Sequence, residues 1–219
     1  MKYGESLFDI LYLVFTITTG IIILIKARNK TEKMMGIAAL ILGCGDAFHL
    51  VPRVLNYFVD ADFTSAFGIG KLVTSITMTV FYIILWFIGL SVYNLNSKTY
   101  LSFAVISAAV IRVALCLFPQ NRWIENSSDM TWGIIRNIPF VALGIIVIIL
   151  FFNHQKEIGR FRLIWLWITL SFAFYIPVAV FAGIIPILGM LMLPKTICYI
   201  IIVLTFLLSV LKDDPVKTE

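Results

Sequence analysis

The chain is expected to be an all-α, polytopic integral membrane protein of seven transmembrane helices, N-terminus out and C-terminus in. Three observations predict this. Of the 219 residues 61% are hydrophobic and 13% charged, and the mean hydropathy is +1.00, which leaves too little polar surface to cover a soluble globule of this size. The apolar residues fall into seven runs of about 20, the length that crosses a ~30 Å hydrocarbon core at ~1.5 Å per residue. The basic residues between those runs alternate in density, and that alternation sets the orientation. Little chain is left over, so residues 1–219 read as a single helical bundle domain in the plasma membrane.

Residues 8–25 make the first run, with Lys2, Glu5 and Asp9 at its start and Lys26, Arg28, Lys30 and Lys33 after it; the trailing charge holds that end in the cytoplasm. A cleaved leader would carry its basic residues first and close on a small-x-small site, so this run is a retained helix. Residues 34–54 return outward. Residues 55–70, with Asn56, Asp60, Asp62, Gly68 and Gly70, read as an outer loop, and Lys71 opens a third helix reaching residue 92. A tight inner turn at 94–98 leads to the fourth helix, 100–118, which contains Arg112 and stops at Pro119. An outer loop at 120–131 holds Arg122, Trp123, Glu125 and Asp129, and the fifth helix, 132–152, begins with Arg136-Asn137 ahead of Pro139. His154, Lys156, Arg160 and Arg162 mark an inner loop. The sixth helix, 163–183, carries Trp165, Trp167, Ser171, Tyr175 and Pro177; a link at 186–194 precedes the seventh, from Lys195 to residue 211.

Of the 17 Lys and Arg residues, ten lie on the assigned inner segments, with Lys98, Lys212 and Lys217 completing that set. The other seven, Lys2, Arg53, Lys71, Arg112, Arg122, Arg136 and Lys195, fall in the outer half or outside. The basic residues form no single patch with interleaved aromatics, which argues against nucleic acid as a partner. Cys44, Cys116 and Cys198 sit inside apolar runs with no spacing that suits a metal site or a disulfide framework; no metal or other cofactor is expected.

The densest chemistry lies at 43–53, Gly-Cys-Gly-Asp-Ala-Phe-His-Leu-Val-Pro-Arg. On a helix Asp46, His49 and Arg53 fall at i, i+3 and i+7 and share a face, while Gly43 and Gly45 let a neighbouring helix come close. Pro52 removes a donor and bends the helix. An ionisable group costs several kcal/mol in a bilayer unless it faces the bundle interior with partners, which makes this face a functional-site hypothesis. Lys71, Ser75, Thr79 and Tyr82 form a polar stripe down the third helix, and Lys195 and Tyr199 another on the seventh.

These residues predict a pocket open to the outer leaflet. Asp46, about 15 Å deep, and His49 form its catalytic floor. Arg53, Lys71, Ser75, Tyr82, Arg112, Arg136, Asn137, Tyr175, Lys195 and Tyr199 form its substrate-binding walls. Arg53, Arg112 and Arg136 are expected to point toward Asp46 or toward one another. The plainer reading of any one cation is snorkelling to headgroups, most of all for Arg122 and Lys195, and the plainer reading of Asp46 is a counter-ion to Arg53 or Arg136. Taken together they draw anions, either the phosphate of a membrane lipid or a small carboxylate solute.

The segment at 45–53 resembles the second-helix signature of the YhhN/TMEM lysoplasmalogenase-like family, in which Gly-Asp followed by apolar residues, and in some members Leu-Pro-Arg, marks the active site. Cys198-Tyr199 is similar to a late-helix pair in that family. The family's second intramembrane acid, which follows a Ser, has no counterpart: Ser171 precedes Phe172, and no acid occurs between Glu157 and Asp213. The resemblance implies an intramembrane hydrolase that cleaves the vinyl ether of a lysolipid to an aldehyde. Such chemistry needs a general acid and a nearby anion to stabilise an oxocarbenium-like cation; Asp46 supplies the proton and His49 accepts one from the attacking water. The alternative is a transporter or binding protein for an anionic solute or lipid. Seven helices and Lys195 also invite a retinal photoreceptor, but Lys195 lies at the outer end of its helix and the third helix offers no carboxylate counter-ion.

Overall fold

The computed structural model describes residues 2–97, 99–127, 130–181 and 184–212. Of the residues named above, Lys98, Asp129, Gly183, Asp213 and Lys217 lie outside the described residues. Among those described, seven helices are long and apolar enough to cross a bilayer and no strand occurs. The chain is an all-α, multi-pass membrane protein. Its helices are α1 Lys2–Lys26, α2 Lys30–Asn56, α3 Thr64–Val92, α4 Tyr100–Leu117, α5 Met130–Asn153, α6 Ile164–Phe181 and α7 Met192–Leu211.

Capping side chains set several of these limits. The Asn29 side chain accepts from Glu32 N at 2.9 Å and the Glu32 carboxylate accepts from Arg28 N at 2.6 Å, a reciprocal cap that starts α2 earlier than hydropathy alone suggests. Thr99 accepts from Ser102 N at 3.2 Å and opens α4. The loop expected at 55–70 is much shorter: α2 runs on through Pro52 to Asn56, and α3 starts at Thr64, about two turns before Lys71. Asp62 accepts from Thr64 N at 2.9 Å just ahead of the new start, and these hydrogen bonds from Thr64 hold its carboxyl below the usual carboxylate range. Charge and polarity at 56–70 therefore mark helix ends that leave the hydrocarbon, not an absence of helix. The seventh helix likewise begins at Met192, ahead of Lys195, after a 3-10 turn at Pro186–Leu191; Pro194, in its first turn, donates no bond the helix needs.

Sequential helices pack side by side, α7 returns against α1, and α3 touches α2, α4 and α5 through the middle of the bundle. Gly43 and Gly45 do admit close neighbours, but two different ones. A Cβ on Gly43 would lie 2.9 Å from Ile17 on α1, and one on Gly45 2.1 Å from Thr77 on α3. One half of the interior is largely apolar, filled by Met35, Leu42, Leu85, Trp86, Ile88, Val147, Phe151, Ile202 and Phe206, all fully buried. The buried cations Arg112 and Lys195 lie in the other half, at the end where α2, α4 and α6 finish and α3, α5 and α7 begin.

Candidate functional site

A cavity of about 760 Å³ opens at that end between α2, α3, α4, α5, α6 and α7. His49, Lys71, Thr74, Ser75, Arg112, Arg136, Tyr175 and Lys195 line it, with Trp123 and Asn126 from the α4–α5 connection at its rim. Four cations thus come from four different helices, and among the described lining residues there is no carboxylate.

Close backbone packing builds the rim. A Cβ on Gly68 would fall 1.4 Å from the Trp123 carbonyl oxygen, so only glycine lets the α4–α5 connection rest on α3. At Gly70 a Cβ would fall 2.4 Å from Phe48 O and 2.7 Å from His49 Cα, which seats α3 against the cavity face of α2. Buried Asn121 ties the connection down: its Nδ2 donates to the carbonyls of Leu115, Cys116 and Phe118 at the end of α4, and its Oδ1 accepts from Arg136 Nη1 at 2.7 Å. Trp123 Nε1 donates to Cys116 O at 2.7 Å, and the Arg136 guanidinium lies 4.5 Å from the Trp123 ring. Lys71 Nζ donates to Asn126 Oδ1 at 2.7 Å.

Deeper in, Arg112 is only 2% exposed. Its Nη1 donates to Asn137 Oδ1 at 3.1 Å, its Cζ stands 3.6 Å from the Phe140 ring centroid, and its Nε has no partner among the described residues. Asn137 is fully engaged, since Oδ1 also accepts from Tyr175 Oη at 2.8 Å and Nδ2 donates to Gly133 O at 2.8 Å. Lys195 is 8% exposed, with Nζ 4.9 Å from the Tyr175 ring and 5.5 Å from the Tyr199 ring. It lines the cavity, as the site reading expects, and does not take the plainer course of snorkelling; α7 starts three residues before it, which sets Lys195 nearly a turn inside the helix. Arg122, by contrast, is exposed, in a left-handed turn with φ 45°. Amides and aromatic faces hold the four cavity cations in place, and neither kind of partner neutralises them.

The expected convergence on Asp46 does not form. Asp46 Oδ2 accepts from Tyr12 Oη at 2.7 Å, and neither Asp46 nor Arg53 is among the residues lining the cavity. Arg53 is turned to α1, where Nη2 meets Asp9 Oδ2 at 2.9 Å and Nη1 meets Glu5 Oε1 at 3.0 Å; Tyr57 Oη donates to the same Glu5 at 2.8 Å. Arg112 and Arg136 do line the cavity. Helix geometry explains the split: Arg53 sits about 20° around the helix from Asp46 and His49 about 60°. The first pair faces α1 and His49 faces the cavity. The Thr74 hydroxyl donates to Gly45 O at 3.1 Å, which leaves its oxygen to accept from His49 Nδ1 at 3.3 Å and assigns the ring proton to Nδ1.

Ser75 lines the cavity, although its hydroxyl bonds back to Lys71 O at 2.7 Å, as that of Thr79 does to Ser75 O. Tyr82 and Tyr199 lie outside the lining. Their hydroxyls meet at 3.3 Å, and Tyr82 Oη is also 3.3 Å from Ser171 Oγ, a buried hydroxyl cluster beside Phe81 and Phe140. Sequence reasoning missed Glu5, Asp9 and Tyr12 as partners, although with Thr16 they form a stripe at i, i+4, i+7 and i+11 that was there to read. Asn121 closes a 3-10 turn at Pro119–Asn121, and Trp123 and Asn126 follow it in the connection, where no long periodic signal reveals them.

Comparison with protein-family models, with curated proteins and with solved structures finds no match; the resemblance at 45–53 rests on those residues alone, which leaves the cavity to carry the functional reading.

Proposed function

We propose that this protein binds an anionic ligand, as a membrane receptor or carrier, in the cavity between α2 and α7. One observation carries the reading. Lys71, Arg112, Arg136 and Lys195 line a single cavity without a lining carboxylate among the described residues, and the most buried of them, Arg112, keeps an unpartnered Nε. Arg112 and Lys195 are buried, and burying cations without counter-ions costs stability; an arriving phosphate or carboxylate supplies the missing charge through short, charge-assisted hydrogen bonds. Cations gathered in a low-dielectric recess also concentrate anions at its mouth. We take the cavity to face outward in the plasma membrane, because Lys26, Arg28, Lys30, Lys33, Lys156, Arg160 and Arg162 all lie at the opposite end.

Vinyl-ether hydrolysis would need Asp46 and His49 to reach one ligand together. Asp46 bonds to Tyr12 at the α1 interface, so the geometry supports binding better than hydrolysis. Toward the opposite end the hydroxyl cluster gives way to buried Leu85, Leu143, Val147 and Ile202, a seal that suits a binding state.

The test is thermal stabilisation of the purified protein in nanodiscs of zwitterionic lipid by inorganic phosphate, sulfate, acetate and phenyl phosphate, with choline and glycerol as controls. Anions should stabilise, less so as salt rises, and the effect should vanish in Arg136→Gln/Lys195→Gln. Stabilisation by choline or glycerol alone would overturn the reading. So would aldehyde release from lysoplasmalogen that is lost in Asp46→Asn.

A further inference from the structure

The cavity has two unlike walls. Its cations come from α3, α4, α5 and α7, whereas α6 contributes Tyr175 at depth and then Val178, Ala179 and Val180, continued by Ile184 and by Met192 of α7. The three connections at this end are also unlike. The α2–α3 connection mixes exposed Asp60 and Asp62 with Phe58 and Val59, and the α4–α5 connection mixes exposed Arg122 and Glu125 with Phe118 and Ile124, whereas no charged residue stands between α6 and α7. The α6–α7 connection exposes Ile184 (68%), Ile185 (46%), Ile187 (70%) and Met190 (50%). Such a patch is costly against water and favourable against lipid, so the apolar wall stands on the side of the cavity that the bilayer covers. The volume of about 760 Å³ falls in the ~300–1,000 Å³ range of sites for organic ligands, far more room than an inorganic anion fills.

We infer that the ligand is an amphiphilic organic anion, a compact phosphate or carboxylate head on an apolar body, entering from the bilayer beside the α6–α7 connection; this rests on the anion-binding reading above. The head occupies the space among Arg112, Arg136 and Lys195. The body lies along Val178, Ala179 and Val180 toward Ile184. A polar solute of the same charge would leave that wall facing its hydroxyls and amides with no hydrogen-bonding side chain to answer them. Apolar contacts along the body add affinity without charge, so the chain, more than the head, separates this ligand from the small anions of the surrounding solution.

Equilibrium binding of radiolabelled inorganic phosphate, butyl, hexyl and octyl phosphate, and butanoate, hexanoate and octanoate to wild-type protein in nanodiscs, with empty discs subtracted, tests this. Affinity should rise about three- to fourfold per methylene. Val178→Asn should cut the affinity gained per methylene along the alkyl phosphate series, because it puts an amide on the apolar wall; an unchanged gain would overturn the placement of the body there. Lysophosphatidate built into the disc should compete with hexyl phosphate; competition only by chains added from water would overturn entry from the bilayer. Equal affinity along the chain series, with phosphate binding intact, would overturn the amphiphile and leave the anion reading standing. No binding of any anion would overturn both.

Discussion

Arg112→Met separates a ligand anchor from a structural strut, because the two roles move stability in opposite directions. In the wild type the guanidinium is 2% exposed and its Nε unpartnered, and an unmade hydrogen bond at a buried donor costs roughly 1–3 kcal/mol. Desolvating the charge adds to that cost. Against it stand the bond to Asn137 and the contact with Phe140, worth together about 3 kcal/mol. Methionine keeps most of the length and rests its thioether on Phe140. Asn137 Oδ1 still accepts from Tyr175, so the substitution leaves no new orphan. The empty protein should gain roughly 1–2 kcal/mol, a rise of about 2–4 °C per kcal/mol for a chain of this length. Anion binding should weaken by about 3 kcal/mol, the size of a lost charge-assisted contact, which is roughly 100-fold in Kd. Thermal unfolding and equilibrium binding of octyl phosphate in the same nanodiscs read both effects. A variant destabilised by about 2 kcal/mol or more with wild-type affinity would show that Arg112 braces the bundle and does not hold a ligand.

The remaining predictions concern the scaffold. Asp9→Ala should cost roughly 3 kcal/mol in thermal or denaturant unfolding, the low end for breaking a buried pair, because Glu5 still meets Arg53; an unchanged midpoint would mean that the α1–α2 ion pair adds nothing. Gly68→Ala puts a methyl 1.4 Å from Trp123 O, so the α4–α5 connection must shift, and affinity for octyl phosphate should fall about tenfold or more with helix content unchanged by circular dichroism. Wild-type affinity in that variant would remove the connection from the site. Single cysteines at Glu125 and Lys156, in a chain whose own cysteines are replaced by serine, should label from outside and inside respectively. The reverse pattern would invert the orientation and the side from which ligand arrives.

The number and approximate limits of the spans were legible in the chain itself, because a residue's preference for lipid or water belongs to that residue and survives being read along a line. The inward placement of His49, Arg112, Arg136 and Tyr175 was legible for the same reason: a charge or hydrogen-bonding group more than a turn inside a spanning helix is favoured where it faces protein. Tertiary structure alone decided which neighbour each one meets. Asp46, His49 and Arg53 share a face about 60° wide, and that face is broad enough to touch two helices at once. α1, brought against α2 at Gly43 and Thr16, takes Asp46 and Arg53 with its own Tyr12, Asp9 and Glu5, and leaves His49 to the cavity. Lys195, a good snorkeller by position, instead lies nearly a turn inside α7, which begins three residues before it, and faces the Tyr175 and Tyr199 rings. The rim was hidden too, since Asn121, Trp123 and Asn126 are placed by a glycine contact and an irregular turn. Hydropathy is a property of single residues; partnership is a property of pairs, and pairs exist only once the helices have packed.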